Sequence, residues 1–188
     1  MPTSPERDEG ELPPRAQRLA QLGRDLVGAA YLEGDFVLSS GRKSKFYFDK
    51  YLFETKPFLL GRLAESLAES LPSDTDRLAG PELGAVALAA AVSLLTGLPF
   101  VIVKKQSKDY ATRKAIEGEL NRGDRVVVVE DILTTGAAAV RAADAVTEAG
   151  GVVLKIIAVV DREEGAEESI AAAGYQYEPL FRRSELGV

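Results

Sequence analysis

The chain has 188 residues, with 23 Lys and Arg against 29 Asp and Glu, and its formal charge of −6 argues against a surface dedicated to nucleic acid. It contains neither cysteine nor histidine, which excludes disulfides, thiolate zinc sites, cysteine nucleophiles and histidine general bases. Its length suits one domain with at most a small appendage, and any catalysis must use carboxylates, basic side chains, backbone dipoles or a hard metal ion.

The N-terminal part of the chain divides into a tail, a helix and a hairpin. Residues 1–14 are proline-rich and acidic, so they are predicted to form a disordered tail. No signal peptide or long apolar run is visible, which favours a cytoplasmic protein. From Arg15, Leu19, Leu22 and Leu26 share one helical face. Short β-type runs at residues 36–38 and 46–48 flank a polar turn, which predicts a hairpin and completes a unit over residues 15–55.

Strands and helices alternate through residues 56–188, which predicts an α/β fold with a central, mainly parallel sheet flanked by helices. Predicted helices cover residues 56–71, 85–97, 137–149 and 167–173. Predicted strands cover residues 77–79, 98–103, 126–129, 152–160 and 175–180, and Pro179 favours an edge position for the last of these.

The most informative stretch is the strand-to-helix turn that follows four consecutive valines at residues 126–129. Such a run is typical of a strand buried on both faces, and the strand is predicted to end at Glu130 and Asp131. The turn then supplies Thr134, Thr135, Gly136, Ala137 and Ala138. Unpaired N–H groups at a helix start bind phosphate, while carboxylates accept hydrogen bonds from sugar hydroxyls. The alternative is that Asp131 or Thr134 merely caps the helix.

Two further strand ends have polar residues that point to the same edge of the sheet. A loop after residue 103 concentrates basic side chains in an otherwise acidic chain, which favours one anionic ligand: Lys104, Lys105, Lys108, Arg113 and Lys114. A solvated surface is the alternative explanation. Residues 80–84, GPELG, follow the strand at 77–79, although a tight turn and a helix start account for both glycines equally well.

The segment VVVVEDILTTGAA resembles the phosphoribosyl pyrophosphate (PRPP) motif of type I phosphoribosyltransferases. FVLSSGRKSKFYFDK resembles the N-terminal hood of the orotate phosphoribosyltransferases within that family. GPELG resembles their pyrophosphate turn, and KKQSKDYATRKAIEGEL resembles their mobile catalytic loop, here residues 104–118. The chain is therefore similar to orotate phosphoribosyltransferases over nearly everything from Arg15 onward, with residues 56–188 as the core.

The resemblance implies a reaction and its partners. PRPP and orotate would give orotidine 5'-monophosphate and pyrophosphate, in pyrimidine and UMP biosynthesis. It implies Mg²⁺, held mainly by substrate oxygens and water rather than by protein ligands. A homodimer is implied as well, with the mobile loop shared between subunits and with no nucleic-acid or membrane partner.

The resemblance also implies residue roles. The catalytic residues would be Lys104, Lys105, Lys108 and Asp131. PRPP would be bound by Lys104, Lys105, Lys108, Tyr110, Glu130, Asp131, Thr134, Thr135, Gly136, Ala137 and Ala138. Orotate would be bound by Tyr47, Phe48, Thr134 and Arg162, although Tyr47 and Phe48 also fit half-buried strand residues, and Arg162 could instead pair with its acidic neighbours.

The chain departs from the family pattern at three positions. Ser39 replaces a common hood lysine, whose charge Arg42, Lys43 or Lys45 could supply. Lys104 replaces an arginine and so exchanges a bidentate fork for a point charge, and Ala111 replaces a glycine of the loop. Two other functions remain open at this point: a phosphoribosyltransferase for another nucleobase, and a PRPP-sensing regulator without turnover.

Overall fold

The computed structural model describes residues 13–37, 43–105 and 114–188. The predictions for Ser39, Lys108, Tyr110 and Ala111 lie outside these ranges, as does nearly all of the predicted tail. In the described ranges, no helix combines the length and the apolarity needed to cross a bilayer.

The chain alternates helices and strands after an N-terminal hairpin. The helices are α1 (Arg15–Ala30), α2 (Tyr51–Glu54), α3 (Pro57–Ala68), α4 (Gly84–Thr96), α5 (Ala137–Glu148), α6 (Ala166–Ala172) and α7 (Arg183–Leu186). The strands are β1 (Tyr31–Val37), β2 (Lys43–Phe48), β3 (Arg77–Pro81), β4 (Phe100–Val103), β5 (Ile116–Glu117), β6 (Arg125–Leu133), β7 (Val152–Asp161) and β8 (Tyr177–Arg182).

The core sheet has six strands in the order β5-β4-β3-β6-β7-β8, and β1 with β2 forms a separate antiparallel hairpin. The β3, β4, β6, β7 and β8 strands run parallel, while β5 joins β4 in the antiparallel sense. The predicted α/β class, the mainly parallel sheet and the edge position of the strand that contains Pro179 are thereby confirmed. The carboxyl ends of β4, β3, β6 and β7 meet at one edge, where ligands of such sheets bind.

The four valines of β6 place this strand in the centre of the fold. All four are fully buried, and they alternate between two cores because successive strand residues point to opposite faces. Val127 and Val129 pack with buried residues of α1, α2, α3 and α4. Val126 and Val128 pack with buried residues of α5 and α6. The layered architecture follows from this alternation.

The structure corrects the predicted end of the central strand. Instead of turning after the acid pair, β6 continues to Leu133, because Ile132 and Leu133 pair with Val160 and Asp161 of β7. Glu130 and Asp131 therefore lie within the strand. The sequence also did not predict β5, α2 or α7, which are two to four residues long and too short to show a periodic pattern.

Candidate active site

The acid pair lies near the carboxyl end of β6. The residues Glu130 and Asp131 are only 6% and 4% exposed, so both carboxyls are buried rather than presented at an open strand end. The Oδ2 atom of Asp131 accepts a hydrogen bond from Nζ of Lys50 at 2.7 Å. Asp131 is thereby connected to the segment that follows the hairpin, two residues after Phe48.

The turn after β6 leaves a helix start open to a ligand. Gly136 is the residue before α5 and has φ 73°, a left-handed conformation that favours glycine. No side chain caps this helix in the described structure, so the interpretation of Asp131 or Thr134 as a simple cap is wrong. Thr134, Thr135, Ala137 and Ala138 are all exposed around the turn. Uncapped N–H groups beside exposed hydroxyls suit a phosphate.

The GPELG turn faces Asp131 across the site. A Cβ atom on Gly84 would overlap Oδ2 of Asp131 and would lie 2.7 Å from Oε1 of Glu54. Gly84 is therefore needed for space beside a carboxylate, which is a stronger requirement than a tight turn. At the other end of the turn, a Cβ on Gly80 would lie 2.9 Å from the carbonyl oxygen of Ala85, so that glycine serves the packing of β3 against α4.

Two charged residues near the acid pair were not predicted as site residues. Lys50 directly precedes α2 and Glu54 ends it. Glu54 is 4% exposed, and its Oε1 has no hydrogen-bond partner within the described residues. Burial and, to a lesser extent, the charge of Asp131 raise the pKa of Glu54 to about 7, against the opposing charge of Lys50. The motif FYFDK contained Lys50, but only the fold brings it to Asp131.

Burial also determines the protonation of Glu130. Desolvation, with a smaller contribution from the neighbouring charge of Asp131, raises the pKa of Glu130 to about 8. The folded chain therefore keeps a proton that an unfolded glutamate, with a pKa of about 4.3, releases at neutral pH. The resulting stability is fully present below about pH 4 and is lost as the pH rises through about 8.

We expect Glu130→Gln to flatten this pH dependence. Each unit of pKa difference between the folded and unfolded chain corresponds to about 1.4 kcal/mol. As the pH rises from about 5 to about 9, the free energy of unfolding of the variant should therefore increase by roughly 2 kcal/mol or more relative to that of the parent. Urea unfolding of both proteins at the two pH values measures the difference. Glu54 is unchanged in both proteins, so its own titration cancels. Parallel pH profiles would contradict a buried, neutral Glu130.

Comparison with known proteins assigns the chain to a family. A profile of the phosphoribosyl transferase domain matches residues 56–174. The orotate phosphoribosyltransferase of Methanocella arvoryzae is 48% identical over 153 residues, which cover 81% of this chain and 87% of that protein. The chain belongs to the orotate phosphoribosyltransferase family. This confirms the predicted family, the enzyme class and the orotate branch. The two alternatives, a phosphoribosyltransferase for another nucleobase and a PRPP-sensing regulator, are not favoured.

Solved structures of the family have the same fold. The orotate phosphoribosyltransferase of Aeropyrum pernix has a TM-score of 0.79 at 30% identity, covering 89% of this chain and 95% of that one. The orotate phosphoribosyltransferase of Mycobacterium tuberculosis, in complex with PRPP, has a TM-score of 0.73 at 32% identity, covering 91% and 99%.

The basic segment of this orotate phosphoribosyltransferase begins at the end of β4. Nζ of Lys104 lies 3.2 Å from Oε1 of Glu117 in β5, and both side chains are partly exposed. The backbone N–H of Lys105 donates to Oε1 of Glu82 in the GPELG turn at 2.5 Å. The loop therefore starts beside the predicted pyrophosphate turn. An exposed pair such as Lys104 with Glu117 contributes little to stability and is easily exchanged for a ligand.

Arg162 lies at the end of β7, next to the end of β6. Its backbone N–H donates to the carbonyl oxygen of Leu133 at 2.9 Å, and its guanidinium lies 2.9 Å from Oε1 of Glu164. The pairing with an acidic neighbour, considered from the sequence, is thus present. The following residue, Glu163, has φ 57° and accepts hydrogen bonds from the N–H and hydroxyl of Ser184. These contacts fix the position of the turn.

The two aromatic residues of the hood differ in environment. Tyr47 is 39% exposed, and its ring centroid lies 5.6 Å from that of Phe36. Phe48 packs against the core and lies 6.2 Å from Phe53, centroid to centroid. Phe48 therefore has the half-buried strand environment that its pattern predicts, while Tyr47 is the one accessible to a ligand. Orotate contacts by either residue stay a prediction.

Proposed function

We propose that the chain binds PRPP across the carboxyl ends of β3, β4 and β6, and transfers its 5-phosphoribosyl group to orotate. The products are orotidine 5'-monophosphate and pyrophosphate. The observation that supports this most directly is the position of Asp131, a buried carboxylate between the Gly84 turn and the uncapped start of α5. A ribose hydroxyl on Asp131 would have phosphate-binding backbone on both sides.

Each part of the donor has a matching part of the site. Asp131, with Glu130, accepts hydrogen bonds from ribose hydroxyls. The exposed turn from Thr134 to Ala138 binds the 5'-phosphate through its hydroxyls and the N–H groups at the start of α5. The GPELG turn binds the pyrophosphate through its backbone. Arg162 binds the orotate carboxylate through its planar fork, and Tyr47 covers the base.

The reaction requires electrostatics more than a nucleophilic side chain. The bond between ribose C1 and the pyrophosphate oxygen breaks with its electron pair on that oxygen, and positive charge builds on the ribose. A ring nitrogen of orotate forms a bond to the same carbon and releases its proton to the pyrophosphate or to water. Asp131 stabilises that charge, and Lys104, Lys105 and Lys108 stabilise the leaving pyrophosphate. Closure of the loop over the site would exclude water. The absence of Cys and His from the chain is compatible with this chemistry.

Mg²⁺ is part of the proposal as a partner of the donor. Lys50 already occupies one oxygen of Asp131, and burial favours a protonated Glu130, so these two carboxyls are poor ligands for a hard cation. The ion would be held mainly by donor oxygens and water. When bound, it neutralises charge on the pyrophosphate.

We also propose a homodimer in which the loop of one subunit reaches the site of the other. Leu94 and Leu95, near the end of α4, are 89% and 53% exposed. Exposed apolar side chains of this size favour a protein contact.

A base-selectivity assay tests the function. With PRPP and Mg²⁺, orotate should be consumed, whereas uracil, hypoxanthine and adenine should not. Uracil has the same ring without the carboxylate, and a site built to bind that group should turn it over at least about 100-fold more slowly. Absence of orotate turnover would reject the proposal, and equal turnover of uracil would reject the role of Arg162.

A further inference from the structure

Lys50 lies between the two parts of the site that bind the donor. Its Nζ donates to Asp131 at 2.7 Å and lies 5.4 Å from the ring centroid of Tyr51. A Cβ on Gly84 would lie only 3.0 Å from the same Nζ, so the ammonium lies directly over the backbone of the GPELG turn. It is thus within reach of both the ribose carboxylate and the pyrophosphate turn.

The burial of these groups favours a ligand for the ammonium. The side chain of Asp131 is 5% exposed, whereas that of Lys50 is 31% exposed. An ammonium has three donor hydrogens, of which Asp131 receives one. The neighbouring carboxylates raise the pKa of Lys50 despite its partial burial, so it stays charged. The exposed part of its side chain is available to a ligand at the site.

Glu54 helps to explain why the ammonium stays at this place. Its Oε1 is buried without a hydrogen-bond partner in the described part of the chain, and the same atom approaches the space beside Gly84. Two buried carboxyls, Glu54 and Asp131, and the ammonium of Lys50 therefore lie around the same space beside Gly84. The hydrogen bond to Asp131 and the nearby charge of Glu54 favour one position for this flexible side chain. A fixed charge stabilises a transition state better than a mobile one.

We propose that Lys50 binds the pyrophosphate of PRPP over the Gly84 turn while it remains paired with Asp131, with Glu54 as the residue that positions it. This inference rests on the proposed assignment of ribose to Asp131 and pyrophosphate to the GPELG turn. It adds a cation that is present before the loop residues Lys104 and Lys105 close. Many family members have a hood lysine at the position of Ser39. In this chain, which lacks that lysine, Lys50 would supply a positive charge at the site.

Calorimetry with two probes, PRPP and pyrophosphate alone, each with Mg²⁺, tests the role of Lys50. Lys50→Met keeps the apolar stem and removes the charge, and it should weaken both probes by about 10- to 100-fold, the range for a lost hydrogen bond to a charged group. The KM for orotate should change by less than about twofold. Lys56→Gln removes a charge from an exposed lysine nearby and should leave both affinities unchanged.

A double variant separates binding from simple charge balance. Lys50→Met alone leaves two buried carboxyls without their cation, which lowers stability. Lys50→Met/Glu54→Gln removes one of these carboxylates and should recover thermal stability while PRPP affinity stays weak. If the double variant instead recovered the parental PRPP affinity, Lys50 would act only by neutralising the acids and the inference would be overturned.

Asp131→Asn distinguishes this inference from the proposed function. It should weaken PRPP, which has a ribose, more than pyrophosphate, whose binding is affected only through the loss of the contact between Lys50 and Asp131. Unchanged PRPP binding in Asp131→Asn would overturn the ribose assignment itself. Normal binding of both probes to Lys50→Met, together with weakened PRPP binding to Asp131→Asn, would overturn the role of Lys50 alone.

Discussion

Gly84→Ala is expected to lower kcat/KM for PRPP by about 100-fold or more while the chain stays folded. The new methyl group would overlap Oδ2 of Asp131 and crowd Glu54 and Lys50, so the carboxylate must rotate away from the ribose. A displacement of about 1 Å of a group at the reacting centre lowers the rate by about 100-fold. Alanine at the first position of α4 is compatible with the helix, so the loss should appear in steady-state kinetics rather than in folding.

Gly61→Ala is the matched control for this substitution. Gly61 lies within α3, and a Cβ atom there would meet nothing within 4 Å. The variant should keep full activity and gain roughly 0.5–1 kcal/mol of stability from better helix propensity. Parental kinetics in Gly84→Ala would show that the space beside Asp131 is not needed, and unfolding of Gly84→Ala by circular dichroism would show that its role is structural.

The sheet and its main helices could be predicted because their information is local. Four valines in a row require burial on both faces, and this burial places β6 between β3 and β7. Leu22 and Leu26 predicted the buried face of α1 in the same way. The error at the end of β6 had a different cause. A polar pair interrupts the apolar run, and only pairing with β7 shows that the strand continues to Leu133.

The candidate site could be predicted from the sequence only in part. The residues of the strand-to-helix turn and the GPELG turn were predicted because each lies within a few positions of a strand end. Lys50 and Glu54 were missed, because a four-residue helix has no periodicity and its contact with Asp131 joins distant parts of the chain. The sequence also did not show why glycine is required at position 84. A glycine in a turn has several explanations, and only the distance to a carboxylate decides among them.

The basic residues in the sequence predicted an anionic ligand, but the sequence did not show which acidic side chains these residues contact in the folded chain. The basic loop was predicted to meet an anion, yet Lys104 pairs with Glu117 in this structure. Arg162 pairs with Glu164. Both cations are thus held by weak partners at the site edge, since partly exposed ion pairs are worth about 1 kcal/mol or less. Such weak pairs are compatible with the proposed exchange of each partner for a substrate anion.

Arg162→Ala is expected to raise the KM for orotate by about 10- to 100-fold and to change the KM for PRPP by no more than about threefold. The guanidinium matches a carboxylate through two parallel hydrogen bonds, and loss of a charged partner costs about 1.5–3 kcal/mol. The turn itself should keep its shape, because the contacts of Leu133 with the backbone of residue 162 and of Ser184 with Glu163 do not involve the arginine side chain. Initial rates with each substrate varied in turn measure the two constants.

Two controls make this result specific to the orotate carboxylate. Arg141→Ala removes an exposed arginine on α5 and should leave both KM values unchanged. Glu164→Gln frees Arg162 from its 2.9 Å partner and should lower the KM for orotate, because the substrate no longer competes with a protein carboxylate for the same fork. Equal increases in the two KM values of Arg162→Ala, or a higher orotate KM in Glu164→Gln, would mean that the pair of Arg162 and Glu164 shapes the turn instead of binding the base.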